Sequence, residues 1–170
     1  MPAFVALLRA VNVGGTGKLP MAELTKICEA CGFAGVKTYI ASGNVVFTSR
    51  KSEAAVRDAL AAALAAYAGK PVGVLVRTAD EMAAVLAANP FTDGKPNRVI
   101  VVFLDTPPPP DCLGRASHVK DEQMALGTRE IYIHYGDGMV DSKLRLPAAN
   151  AGTARNMNTV AKLAAMAKAL

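Results

Sequence analysis

Apolar residues along this chain follow two patterns, one typical of buried strands and the other of amphipathic helices. Residues 4–11 form an apolar run without helical period, which predicts a buried strand leading into a glycine-rich connection. Pro20 then marks the start of a helix, where its missing N–H costs nothing, and Gly32 follows the last helical turn. Residues 36–41 and 44–48 predict two strands joined at the Ser42-Gly43 turn.

A second helix and a fourth strand complete the first half of the chain. Ser52 is a suitable N-cap for a helix that runs to Ala68, and residues 72–76 predict the next strand. The resulting order, βαββαβ, is that of the split βαβ or ferredoxin-like unit. Because residues 4–8 are apolar at every position, we expect both faces of that sheet to be covered.

The second half of the chain has a similar but less regular succession of strands and helices. Its predicted elements are a helix over residues 79–88, a strand over 98–104, a short helix near 111–116, a hairpin from 120–126 and 130–135, and a helix over 155–169. When the turn residues Gly43 and Gly127 are superimposed, the two hairpins align and helix 52–68 lies over helix 155–169.

We therefore expect an α+β protein made of two ferredoxin-like (split βαβ) half-domains, packed as an internal pseudo-duplication. The first half spans residues 1–78 and the second residues 79–170, and together they form one compact unit. Loop 136–152 is long for such a unit, and loops of this length are often functional.

Composition narrows the class of protein. The chain has 170 residues, of which 52% are hydrophobic and 19% charged, enough for a core without metal or disulfide support. It shows no secretory signal and no run of about 20 apolar residues that would span a membrane. Together with only three cysteines, this predicts a cytoplasmic protein with reduced thiols. The net charge of +5 suits nucleic acid, nucleotides or phosphorylated metabolites as partners, but the absence of a long Lys/Arg run favours ordinary solubility as the reason for it.

The first candidate site is the polar, glycine-rich connection after the first strand. It contains Arg9, Asn12, Gly14, Gly15 and Lys18. Backbone N–H groups of a glycine-rich loop before a helix suit a phosphate or carboxylate, with lysine as counter-charge. The spacing matches neither GxxxxGK[ST] nor GxGxxG, so a tight strand-to-helix connection is the alternative explanation.

The hairpin turn belongs to the same predicted site. In a βαββαβ unit the first two strands run parallel, so their carboxyl ends meet at one edge of the sheet. Ser42 and Asn44 should therefore lie beside the glycine-rich connection, where ligands of α/β proteins commonly bind. The alternative is that these residues simply make a good turn.

The second candidate site opens the last predicted helix. Arg155, Asn156 and Asn158 would place a guanidinium and two amides at a positive helix N-terminus, which suits an anion. The alternative is a well-capped amphipathic helix. No other residues indicate a metal or cofactor: Cys28 and Cys31 form CxxC near the end of a helix, where the dipole disfavours a thiolate.

The chain resembles the DUF1697 family of uncharacterised proteins. The motifs that carry this resemblance are FVALLRAVNVGGTGKLPMAEL, GFAGVKTYIASGNVVFTS, VRTADEMAAVLAANPF and GTARNMNTVAKLAAMA. Members typically read RGINVGG and RNWNT, where this chain has Ala10 for the glycine and Met157 for the tryptophan. The resemblance implies two ferredoxin-like halves and no established activity.

Three functional hypotheses follow. The first is the binding of a phosphorylated small molecule, a nucleotide or nucleic acid by the two clusters. The second is an enzyme acting on a phosphorylated or carboxylated metabolite, with Lys18 or the Ser142-Lys143 pair as the reactive group. The third is a protein-interaction module or homo-oligomer, in which the clusters are turns and caps.

Overall fold

The chain has an α+β fold built on two antiparallel sheets. The computed structural model describes residues 1–9 and 18–170, which form two four-stranded sheets and four α-helices. They fall into two compact units, Met1–Met82 with Leu163–Leu170, and Ala83–Lys162, and each unit contains one sheet. In this described part of the chain, no helix combines the length and apolar character needed to cross a membrane.

The first unit has the predicted element order. Its elements are β1 (Ala3–Leu8), α1 (Met21–Ala30), β2 (Ala34–Tyr39), β3 (Asn44–Thr48), α2 (Glu53–Ala68) and β4 (Val74–Thr78), and α3 (Ala79–Ala87) follows directly. Both long helices end or begin for local reasons. Gly32 adopts a φ of +85° just beyond α1, a conformation that favours glycine. The Ser52 Oγ accepts a hydrogen bond from the Ala55 N–H at 3.2 Å and caps α2.

The strand order of the first sheet is β2-β3-β1-β4, and every neighbouring pair is antiparallel. Central strand β1 places Val5 opposite Val46 on β3 and Arg77 on β4. Because β1 and β2 are each antiparallel to β3, they run in the same direction. The end of β1 and the β2–β3 hairpin therefore lie at one edge of the sheet.

Both faces of β1 are buried. Phe4, Ala6 and Leu8 pack in one core with residues of α1 and α2. Val5 and Leu7 point to the opposite face and have no exposed surface either. Each such aliphatic side chain contributes about 1.5–3 kcal/mol by leaving water, so this strand is a main source of the unit's stability.

The second unit contains β5 (Val99–Phe103), β6 (Gln123–Leu126), β7 (Glu130–His134) and β8 (Thr153–Asn156). The order of its sheet is β6-β7-β5-β8, again fully antiparallel. The last helix, α4 (Met157–Lys168), follows β8 directly. The predicted hairpin is confirmed, since β6 and β7 pair and the Gly127 N–H donates to the Glu130 carbonyl at 2.8 Å.

Short turns cover one face of the second sheet. Val102, Ile131 and Ile133 on that face pack under two 3₁₀ turns, Cys112–Arg115 and Pro147–Ala151. The equivalent face of the first sheet lies under helices of 10 and 16 residues. The cover of the second sheet is therefore thinner and contains less regular structure.

Two predictions about the end of the chain are wrong. Residues 153–156 were expected in a loop and the start of a helix, but they form β8, which pairs with β5 over four residues. The alignment of helix 52–68 with the last helix also fails. Helix α2 lies between β3 and β4, whereas α4 follows β8 in the way that α3 follows β4.

Candidate functional site

The end of β1 is held between the β2–β3 hairpin turn and the segment directly before β4. The Leu8 N–H donates to the Gly43 carbonyl at 2.8 Å, and the Arg9 N–H donates to the Gly73 carbonyl at 2.9 Å. The hairpin turn thus lies beside the end of β1, as the strand directions predicted. We call this region the β1 edge: it comprises Arg9, Ser42, Gly43 and Gly73, and Lys18, which follows residues 10–17 in the sequence, is assigned to it as a prediction.

The stem of Arg9 crosses directly over Gly73. A Cβ added at Gly73 would lie 3.0 Å from the Arg9 Cβ and 3.4 Å from its Cδ, so the close approach depends on glycine. Arg9 and Lys18 are both exposed and lie on either side of residues 10–17. The other members of the predicted cluster, Asn12, Gly14 and Gly15, lie outside the described residues, and their role stays a prediction.

The hairpin residues stabilise the turn itself. Asn44 is fully buried, and its Nδ2 donates to the Tyr39 carbonyl and to the Ser42 Oγ, each at 2.9 Å. Ile40 and Gly43 both have positive φ, +51° and +90°, as a tight turn of this kind requires. The buried amide of Asn44 thus supports the turn, and Ser42 is exposed, as are its turn neighbours Ile40 and Ala41.

The second predicted cluster has a different geometry from the one expected. Arg155 lies on strand β8, and its side chain is buried, with Nη1 donating to the Ala154 carbonyl at 2.9 Å. Burial lowers the pKa of its guanidinium to about 10, so it is still charged at neutral pH. Asn156 caps α4, since its Oδ1 accepts from the Thr159 N–H at 2.9 Å, while Asn158 is exposed.

A buried arginine is also the last but one residue of β4 in the first unit, and sequence reasoning missed it. Arg77 is only 1% exposed and occupies the same register position opposite β1 as Arg155 does opposite β5. Thr78 follows as a helix cap: its Oγ1 accepts from the Glu81 N–H at 3.1 Å, and Glu81 Oε1 accepts from the Thr78 N–H at 2.9 Å. A charged residue inside the apolar run VLVRT was the available signal.

The thiols have the environment of core residues. Burial raises the pKa of the Cys28 thiol to about 12, and burial also raises the pKa of Cys31. Both are therefore protonated at neutral pH and are poor nucleophiles and metal ligands. Within residues 1–9 and 18–170, no three His, Cys, Asp or Glu side chains are grouped as a metal site requires.

The second unit contains two cavities, and residues of the long loop line both of them. The smaller, of about 430 Å³, includes the polar and charged residues His118, Lys120 and Lys143. At its wall the Ser142 Oγ donates to the Glu122 Oε1 at 2.6 Å, which lowers the pKa of that carboxyl group. The larger, of about 600 Å³, lies over the face of the second sheet that the short turns cover. Sequence reasoning noted the loop's length but predicted neither cavity.

Comparison with known proteins gives a family and a fold. Residues 1–132 match the family model described as "Protein of unknown function (DUF1697)". A solved structure, that of the conserved bacterial protein SP0830 from Streptococcus pneumoniae, is similar to this chain with a TM-score of 0.81. The two are 26% identical, and the similarity covers 97% of this chain and 98% of that one. No curated protein matches the chain.

Proposed function

This chain belongs to the DUF1697 family, and we propose that it binds an anionic, phosphate-bearing ligand at the β1 edge. The observation that carries this proposal is the pair of backbone hydrogen bonds from Leu8 to Gly43 and from Arg9 to Gly73. They fix the end of β1 between the hairpin turn and the segment before β4, at the position of the exposed residue Arg9. A glycine-rich segment begins at that same point. Cation and backbone amides together are the usual components of a phosphate site.

Each residue of the β1 edge has a distinct expected role. Arg9 presents a planar guanidinium, which pairs with phosphate through two parallel hydrogen bonds, and its stem is positioned by contact with Gly73. Lys18 acts as a point charge on the other side of residues 10–17. Asn12, Gly14 and Gly15 would supply polar groups and backbone N–H donors. Arg155, Asn156 and Asn158 are left out of this proposal, because burial and helix capping account for the first two.

The favoured ligand is a phosphorylated small molecule or a nucleotide. Nucleic acid is a less favoured ligand, because only 5% of the residues are aromatic and single-stranded binding depends on stacked aromatic side chains. The enzyme hypothesis loses support at Lys18, which is exposed, while Lys143 lines the smaller cavity but is itself exposed to solvent. A reactive lysine needs the low-dielectric surroundings of a cleft.

We also infer that the two units are ferredoxin-like halves of an internal duplication. In support, both sheets have the same antiparallel order, with β5, β6, β7 and β8 in the places of β1, β2, β3 and β4. The last but one residue of the fourth strand is a buried arginine in each unit, and a capped helix follows that strand. In the second unit, short turns replace the two helices that cover the first sheet.

A thermal-shift screen tests the proposed function. The probes are inorganic phosphate, AMP, ATP, glucose 6-phosphate and a short oligonucleotide, each added to the whole chain. A ligand at about 100 times its dissociation constant stabilises the fold by roughly 2.7 kcal/mol. We expect a phosphate-bearing small molecule to raise the melting temperature of the wild type. That rise should be absent in an Arg9→Ala, Lys18→Ala double variant.

A matched double variant separates a site from net charge. Lys26→Ala with Arg57→Ala removes the same two charges from helices α1 and α2 of the same unit. This control should keep the full ligand-induced shift. If both double variants lost the ligand-induced rise in melting temperature equally, the rise would depend on net charge and not on a site. If no probe raised the melting temperature of the wild type, the proposal would be refuted. Oligonucleotide binding that falls steeply with salt would instead identify nucleic acid as the ligand.

A further inference from the structure

The larger cavity of the second unit arises from the thin cover over its sheet. Segment 144–152 crosses the sheet as loop and 3₁₀ turn, and the space of about 600 Å³ left under it falls within the range typical of small-molecule sites. All of the residues that line it belong to the second unit. The cavity therefore shares no residue with the β1 edge.

Apolar residues are the majority of those that line the cavity, with a few polar residues among them. Ile100, Val102 and Ile133 of the sheet form its floor, and Leu144 and Leu146 of the loop contribute to its walls. Polar groups come from Ser117, Tyr135, Arg145 and Asn150. Polar and apolar atoms contribute about equally to the cavity surface, and such a mixed surface suits an amphipathic small molecule.

Backbone contacts hold the covering segment in place at both ends. Ser117 and Arg145 form an isolated bridge in which each N–H donates to the other's carbonyl at 2.9 Å. At the other end Gly152 lies so close to β5 that an added Cβ would be 2.5 Å from the Phe103 carbonyl oxygen. The segment is thus fixed over the sheet, and the cavity is part of the folded unit.

Arg145 gives the cavity an uncompensated positive charge. Two other arginines of this unit have acidic partners: Arg115 pairs with Asp111 at 2.9 Å, and Arg98 lies 3.8 Å from Asp137. In the described part of the chain Arg145 makes no ion pair, and its only hydrogen bonds are those of its backbone. An exposed guanidinium at a partly apolar cavity suits a ligand that carries one negative charge.

We propose that this cavity binds a small carboxylic acid with an apolar body, whose carboxylate pairs with Arg145. A carboxylate fits better than a phosphate dianion because, among the residues that line this cavity, Arg145 is the one cation. The apolar body would lie on Ile100, Val102 and Ile133. The site is independent of the anion site proposed at the β1 edge and can exist without it.

Calorimetric titration of the whole chain with octanoate tests the proposal, with octanol, octyl phosphate and acetate as comparison probes. Octanoate should bind more tightly than octanol, which lacks the charge, and than acetate, which lacks the apolar body. Arg145→Ala should weaken octanoate binding about tenfold or more, the factor expected for a hydrogen bond to a charged group. Arg145→Lys should restore part of that loss. Arg115→Ala, which removes a cation outside the cavity, should change nothing.

A cavity-filling variant tests the location. Ala154 is exposed and lines the cavity from β8, so Ala154→Leu should reduce the binding of octanoate and octanol alike while the chain stays folded. Octanoate binding that survives both Arg145→Ala and Ala154→Leu, or that is lost in the Arg9→Ala, Lys18→Ala variant, would overturn the proposal. An absence of octanoate binding would also overturn the proposal. If octyl phosphate bound more tightly than octanoate, the assignment to a carboxylate would be wrong.

Discussion

Replacing Gly152 by alanine tests how closely the covering segment approaches the second sheet. An added Cβ would lie 2.5 Å from the Phe103 carbonyl oxygen, 2.7 Å from the Val102 Cγ1 and 2.8 Å from the Leu104 Cδ2. The two side chains can shift to relieve such contacts. The Phe103 carbonyl oxygen can shift little, because it belongs to the backbone of β5, which pairs with β7 on one side and β8 on the other. Overpacking of this kind costs about 1–3 kcal/mol.

A smaller effect opposes this cost. Replacing glycine by alanine restricts the unfolded chain and stabilises the fold by about 0.4–1 kcal/mol where the backbone allows it. Gly152 has a φ of −106°, which alanine adopts without strain, so this gain is present but smaller than the clash. We expect a net loss of about 1–2 kcal/mol, or roughly 2–8 °C in melting temperature for a chain of this size.

Gly138→Ala is the matched control. It lies in the same long loop, and a Cβ there meets no atom within 4 Å. Urea unfolding and scanning calorimetry of the two variants should show Gly152→Ala less stable than the wild type and Gly138→Ala equal to it or slightly more stable. Equal stability of the two variants would show that the segment does not press on β5. The geometry of the larger cavity would then need revision.

Three further predictions concern stability. Tyr132→Phe removes the hydrogen bond from the Tyr132 hydroxyl to the Val85 carbonyl at 2.8 Å, and urea unfolding should show a loss of about 1–2 kcal/mol because the buried carbonyl loses its donor. Ser52→Ala should cost about 1 kcal/mol, whereas Ser52→Asp should cost little, since aspartate also caps helices. Burial raises the pKa of Cys28 from 9.0 to about 12, so between these pH values the unfolded thiol loses its proton and the folded one keeps it. Between pH 9 and about 12, the free energy of unfolding of the wild type should therefore fall faster than that of Cys28→Ala, by about 1.4 kcal/mol for each pH unit. Parallel pH profiles of the two proteins would contradict this.

Much of the first unit could be predicted because its signals are local. Pro20, Gly32 and Ser52 mark helix ends through their own backbone and capping chemistry, and these ends lie where the sequence placed them. Strand β3, Asn44–Thr48, was predicted to the residue because a turn and an apolar run define its two ends. The pairing of β2 with β3 followed from the short turn between them.

The features that were missed depend on tertiary pairing. Strand β8 has no apolar alternation, and its four residues become a strand only because β5 offers an unpaired edge. The same pairing buries Arg155, which a helical interpretation left at an exposed helix end. The larger cavity has no sequence signature at all, since it results from turns standing where the first unit has helices.

Binding of a phosphate-bearing ligand at the β1 edge is tested most directly by mapping amide chemical shifts while the ¹⁵N-labelled chain is titrated with ATP and with inorganic phosphate. We expect the largest changes at the amides of Arg9, Lys18, Gly43 and Gly73, and we expect Arg9→Ala to abolish them. Changes spread evenly over exposed lysines and arginines, or confined to the second unit, would contradict the proposed site.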